Sequence, residues 1–137
     1  MIMRSEGNPP LPESTGVLVV GAGMEGLSAA RLLVAAGRDV LVVDKGWNPG
    51  GRLATRRIGE ASFDHGATFF TTGEVRFTEA INDWSDAGFA GTWENLEAGV
   101  EHWRGLPDMR GLAGHLARGV EVRTRVRMAS ISLQGDH

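Results

Sequence analysis

The stretch Val17-Leu18-Val19-Val20-Gly21-Ala22-Gly23-Met24-Glu25-Gly26 decides how this chain folds. Four consecutive apolar residues rich in β-branched side chains predict a strand buried on both faces. Glycines at 21, 23 and 26 follow at once, and Leu27, Ala30, Leu33 and Val34 then recur at helical spacing as far as Gly37, a residue suited to end a helix. In such a turn each glycine has its own task. The first allows the tight turn, the second lets a pyrophosphate approach the backbone, and the third lets helix and strand pack closely. The helix start adds amide donors and a partial positive charge.

A second run, Val40-Leu41-Val42-Val43, predicts another buried strand, closed by Asp44 eighteen residues beyond Gly26. Strand, helix and strand of these lengths make a right-handed βαβ unit with parallel strands. A carboxylate at the end of the second strand can accept from both ribose hydroxyls of an adenosine and repels a 2′-phosphate, so NADP is disfavoured. Glycine turns alone are common; the strand before, the helix after and the acid at this distance make the nucleotide reading specific. Glu25 lies in the first helical turn, where it suits the dipole but opposes a pyrophosphate, so its side chain is expected to face solvent.

Outward from this core, Lys45 to Arg57 reads as irregular with a turn at Asn48-Pro49-Gly50-Gly51, and Phe63 to Thr72 as a strand or a buried loop. Phe77, Ile81 and Trp84 predict a helix over Glu74–Ala87 ended by Gly88, and core packing accounts for Trp84. Two short strands, paired as a hairpin, are expected between Gly91 and Trp103, and a helix over Met109–Arg118. Further strands are expected around Val120, Val122, Val126, Met128, Ile131 and Leu133.

Composition narrows the function. A 42% apolar and 23% charged chain of 137 residues is ordinary for a globular domain. Net charge −3 with no basic run gives no reason to expect a nucleic-acid partner. The absence of cysteine excludes disulfides, thiolate metal sites, a cysteine nucleophile and a flavin linked through sulfur; it fits the cytoplasm, and no metal site is expected. Residues 1–15, rich in Pro, Ser, Gly and Glu, read as a disordered leader rather than a targeting segment, and no run is apolar enough for a membrane span.

The run Gly50-Gly51-Arg52-Leu53-Ala54-Thr55-Arg56-Arg57, followed by Phe63-Asp64-His65-Gly66-Ala67, resembles the FAD-binding segment of the amine oxidase superfamily, and within it the bacterial renalase-like NAD(P)/FAD-dependent oxidoreductases. Leu106-Pro107-Asp108-Met109 is a looser match, with Asp108 where relatives usually carry glycine, and Thr68 stands where they often have an amide. The resemblance covers roughly Val17 to Ser132.

It implies an α/β fold with a Rossmann-like parallel sheet, here incomplete, over residues 16–137, with the start of an inserted substrate domain at about 70–105. It implies FAD as cofactor, held by Gly21, Gly23, Met24, Glu25, Gly26, Asp44, Lys45, Gly51, Arg52, His65, Gly66, Ala67 and Val126. Gly51 and Arg52 would meet the pyrophosphate, since guanidinium suits phosphate oxygens; the alternative for Arg52 is a solvated loop arginine. One of Arg56 and Arg57 would face the cofactor. His65-Gly66-Ala67 would run beside the flavin, where His65 has no visible partner to make it a base. Val126 would pair its backbone with adenine, or else is an ordinary core valine. Trp93 and Trp103 fall where a substrate domain begins and receive no role.

Three functions follow. The first is an FAD-dependent oxidoreductase moving a hydride from a small molecule, an amine or a reduced nicotinamide, to flavin; the chain is short for that, so it is expected to be truncated. The second is a non-catalytic nucleotide-binding fragment or subunit completed by a separate chain carrying the C-terminal half. The third, an NAD-binding module, leaves the Gly-Gly-Arg run without a use. No residue is assigned as acid, base or nucleophile.

Overall fold

The computed structural model of the protein describes residues 2–4, 9–93 and 99–134. In chain order these form β1 (Ile2–Arg4), β2 (Val17–Val20), α1 (Met24–Ala35), β3 (Val40–Val43), β4 (Thr55–Ile58), β5 (Ala61–Asp64), β6 (Phe70–Thr71), α2 (Val75–Asp86), β7 (Ala90–Trp93), β8 (His102–Gly105), α3 (Met109–Leu116), β9 (Glu121–Arg123) and β10 (Val126–Met128). They divide into two compact units, one of Met1–Gly51 with Gly119–His137, the other Arg52–Arg118.

The first unit is the expected βαβ fold with one more strand. β2, β3 and β9 are parallel in the order β2-β3-β9. α1 closes as the sequence predicts: Gly37 and Arg38 donate to Val34 and Leu33 carbonyls at 2.9 and 3.0 Å, a paired closure of the last turn. Leu27 and Ala30 are fully buried, and α1 packs on β3. Leu41 and Val43 point to the other face, into a cluster with Val126, Leu11 and Met128.

Three expectations need correcting in this unit. β2 is not buried on both faces: Leu18 is 38% and Val20 54% exposed, because β2 is the sheet's edge and the cover over β3 does not reach it. The segment read as a disordered leader contains β1, which pairs antiparallel with β10 from Ile2–Met128 to Arg4–Val126; a free strand edge is a template for such pairing. Met1 and residues 5–8 of that segment lie outside the described residues. Among the described residues Ile131 and Leu133 belong to no strand, and they are 77% and 97% exposed.

The second unit comprises a β4–β5 hairpin, a three-stranded antiparallel sheet in the order β6-β8-β7, and two helices. Its strand β4 starts at Thr55, inside the stretch read as irregular. The hairpin expected between Gly91 and Trp103 is β7 and β8, with residues 94–98 of its connection outside the described residues. α2 carries Ile81 and Trp84 inward, as its periodicity predicts. Glu74 caps it, accepting from the Phe77 amide at 2.8 Å. The expected insertion start at about 70–105 falls within this unit.

Candidate nucleotide site

In the first unit the glycine turn lies at the carboxyl end of β2 and opens α1, with Gly23 as N-cap. Gly21 takes φ +107°, a conformation that L side chains rarely adopt. At Gly26 the constraint is contact: a Cβ there would collide with the Gly21 carbonyl oxygen, so only glycine lets the helix begin this close to the turn. Leu27 donates to the Gly23 carbonyl at 2.9 Å, the first bond of the helix, and amides ahead of it have no acceptor within a helix of this start.

Asp44 meets this turn directly. Its Oδ2 accepts from the Ala22 amide at 2.6 Å and its Oδ1 from the Gly46 amide, also at 2.6 Å. Each carboxylate oxygen has a further lone pair, so the side chain is fixed in place and can still accept from a ribose hydroxyl. The second motif comes back onto the first: Gly50 donates to the Ala22 carbonyl at 2.7 Å, and Gly23 and Gly50 form a parallel bridge. Gly51, at φ +54°, lies so near that a Cβ on it would sit 3.4 Å from the Gly23 Cα. Arg52 follows directly and is exposed.

A cavity of about 330 Å³ opens at the ends of these strands, lined by Val20, Gly21, Val43, Asp44, Lys45, Val126, Arg127 and Met128. It lies toward the small end of ligand-binding cavities, about 300–1,000 Å³. The structure thus gathers Gly21, Asp44, Lys45 and Val126 of the expected site around one space. The Val126 amide donates to the Asp44 carbonyl at 2.8 Å, so any pairing with adenine falls to its carbonyl. Met24 is half-buried at the first helical position, and Glu25 is exposed.

The remaining expected residues lie in the second unit. His65 and Ala67 donate to the Ala54 and Arg52 carbonyls at 3.1 and 2.8 Å, and a Cβ on Gly66 would collide with the Arg52 carbonyl oxygen. The two quoted runs therefore lie side by side. His65 is exposed, Arg56 is exposed, and Arg57 stands 3.8 Å from the Asp108 carboxylate.

No local sequence signal marks a role for Asp64, Thr55 or Arg110. Thr55 and Asp64 are cross-strand partners. The buried Thr55 hydroxyl donates to Asp64 at 2.5 Å, and the Asp64 oxygens accept from the Met109 amide at 3.2 and 3.4 Å, at the start of α3. Arg110 donates through its amide to the Thr55 hydroxyl at 3.1 Å and through its guanidinium to the Thr55 carbonyl. Asp108, the departure from the family pattern, caps α3 by accepting from Gly111 at 2.9 Å. A carboxylate at a helix start suits the dipole. Asp64 and Asp108 thus serve α3, and no sequence signal links residues 45 positions apart.

A strand, glycine turn, helix and acid-ended parallel strand, with a cavity at the strand ends, make a dinucleotide-binding Rossmann-like domain. Residues 19–84 match the NAD(P)-binding Rossmann-like domain family. The chain is 39% identical over 107 residues to hydroxyneurosporene desaturase of Rubrivivax gelatinosus, covering 78% of this chain and 18% of that protein. A Mycobacterium tuberculosis protein named as a flavin-containing monoamine oxidase is 41% identical over 68 residues, covering 50% of this chain and 14% of the other. Among solved structures, putrescine oxidase bound to putrescine is 32% identical, covering 58% of this chain and 17% of that one, with a TM-score of 0.47. Within the Rossmann-like class, then, the likeness is to the N-terminal part of amine-oxidase-like FAD oxidoreductases. The chain spans less than a fifth of the length of the relatives it matches.

Proposed function

We propose that this chain is the FAD-gripping part of an amine-oxidase-like oxidoreductase, of the renalase-like kind, that moves a hydride from a small molecule, an amine or a reduced nicotinamide, to flavin. The observation that carries the proposal is Asp44, pinned by the glycine-turn amide of Ala22 at 2.6 Å while it faces the cavity. When bound, the flavin supplies the hydride acceptor, and the protein supplies grip and orientation. Asp44 holds the ribose, the start of α1 and Gly51 admit the pyrophosphate, and Arg52 offers it a guanidinium. Lys45 stands beside Asp44 in the cavity wall. By the family resemblance, His65-Gly66-Ala67 would border the ring. The cytoplasm is the compartment that a chain without cysteine suits; no helix among the described residues is long and apolar enough to cross a membrane.

A second reading, a non-catalytic nucleotide-binding subunit completed by a separate chain, is favoured by the open edge of β2. One experiment separates them. The purified chain is examined by visible absorption, then denatured and any released nucleotide identified. FAD released at close to one equivalent supports a chain that grips its cofactor alone. A colourless protein that also refuses added FAD rules that out and leaves the subunit needing its partner. Asp44→Asn should weaken FAD binding about tenfold, within the range for hydrogen bonds to charged groups; unchanged affinity by fluorescence titration would remove Asp44 from the site.

A further inference from the structure

The cavity wall is held from behind by a contact outside the cavity lining. Arg125, between β9 and β10, is the non-glycine residue among those described with a left-handed backbone, φ 56°. An L-residue is disfavoured there and stays only where its surroundings hold it. Two contacts do so. The Arg125 amide donates to the Gly46 carbonyl at 2.8 Å, and the guanidinium carbon lies 4.9 Å from the centre of the Trp47 ring, within the range of a cation–π contact. Trp47 is 77% exposed, so burial is not what fixes it.

The contact closes a short ladder whose other rungs are the site itself. The Asp44 amide donates to the Arg123 carbonyl at 2.9 Å and the Val126 amide to the Asp44 carbonyl at 2.8 Å. Gly46 is gripped at both of its main-chain groups, its amide by the Asp44 carboxylate at 2.6 Å and its carbonyl by the Arg125 amide. If the Trp47–Arg125 contact opens, the left-handed backbone at Arg125 loses one of its two restraints, so its amide holds the Gly46 carbonyl less firmly and the Gly46 donor to the Asp44 carboxylate is less fixed.

We infer that Trp47 and Arg125 form a clasp that positions Asp44 and Val126 for the adenosine end of the nucleotide. This rests on the nucleotide reading above. Both are positioning residues, outside the cavity lining.

The test is calorimetric titration of the full chain with ADP, which carries the adenosine end without the flavin. Trp47→Ala and Arg125→Ala should each weaken ADP about threefold to fivefold, the scale of one exposed cation–π contact. The double variant should be no weaker than either single one, because both break the same clasp. Trp47→Phe, which keeps a ring under the guanidinium, should restore most of the affinity, and Arg125→Lys, which keeps the cation, should do the same in part. Singles with lowered melting temperature but unchanged ADP affinity would mean a purely structural contact and overturn the clasp; so would additive losses in the double variant. A wild-type chain that takes up neither ADP nor FAD overturns the reading of this chain as a stand-alone nucleotide binder, and the clasp with it.

Discussion

The tetrapeptide Val-Leu-Val-Val occurs twice, as β2 and as β3, and the two copies pair with each other in register. Their surroundings differ sharply. Every residue of Val40–Val43 is at most 5% exposed, whereas Leu18 is 38% and Val20 54% exposed. Leu18 pairs with Leu41 and Val20 with Val43, so the exposed pair and the buried pair share a sheet face. Over β3 that face is covered by Val126, Leu11 and Met128. Over the end of β2 it opens on the cavity, whose wall includes Val20. The buried copy builds the core and adds Val43 to the pocket wall, while the edge copy gives that wall Val20, which stays half in water. What separates them is the place of each strand in the sheet, which four residues cannot encode.

The contrast can be tested with identical substitutions. Leu41→Ala should cost about 3 kcal/mol, as buried leucine truncations do, in urea unfolding of the chain. A cost as small as that expected at Leu18 would erase the distinction. Val43→Thr, which places a hydroxyl in the same core, should cost about 2 kcal/mol, while Val20→Thr should change stability by less than about 0.5 kcal/mol. Val20→Phe turns the comparison toward function: the larger ring enters the cavity, so ADP affinity should fall about tenfold by titration, roughly what overpacking a filled space costs. Equal affinity in that variant would mean that the cavity is not where the nucleotide sits. The smallest effect belongs to Leu18→Ala, expected below about 1 kcal/mol because much of that side chain is already in water.

The backbone of the nucleotide fold was legible because its signals are local: a β-branched run, a glycine turn, helical spacing to Gly37, and Asp44 at the end of the second run. The end of α2 at Gly88 and the hairpin of β7 and β8 were legible for the same reason. What escaped depends on distant partners. The exposure of Leu18 and Val20 follows from the edge position of β2. The service of Asp64 to α3 follows from the β4–β5 register, which puts Thr55 and Asp64 opposite each other. The pairing of Ile2–Arg4 with β10 joins segments over a hundred residues apart, and a Pro- and Gly-rich neighbourhood hid it. Of the expected site, residues next to the glycine turn could be placed by spacing alone. Arg52, His65, Gly66 and Ala67 came only through resemblance, and they fall in the other compact unit.

Gly26 has a bearing on how the gene can vary. Glycine is the one residue without a Cβ, so every missense change at that codon adds an atom that strikes the Gly21 carbonyl oxygen. In a library of single substitutions this position should tolerate essentially no replacement, whereas Gly114, with no atom near its missing Cβ, should accept many. A drifting lineage can lose its nucleotide grip at position 26 in one step, and no nearby side-chain adjustment restores it, because the obstacle is main chain.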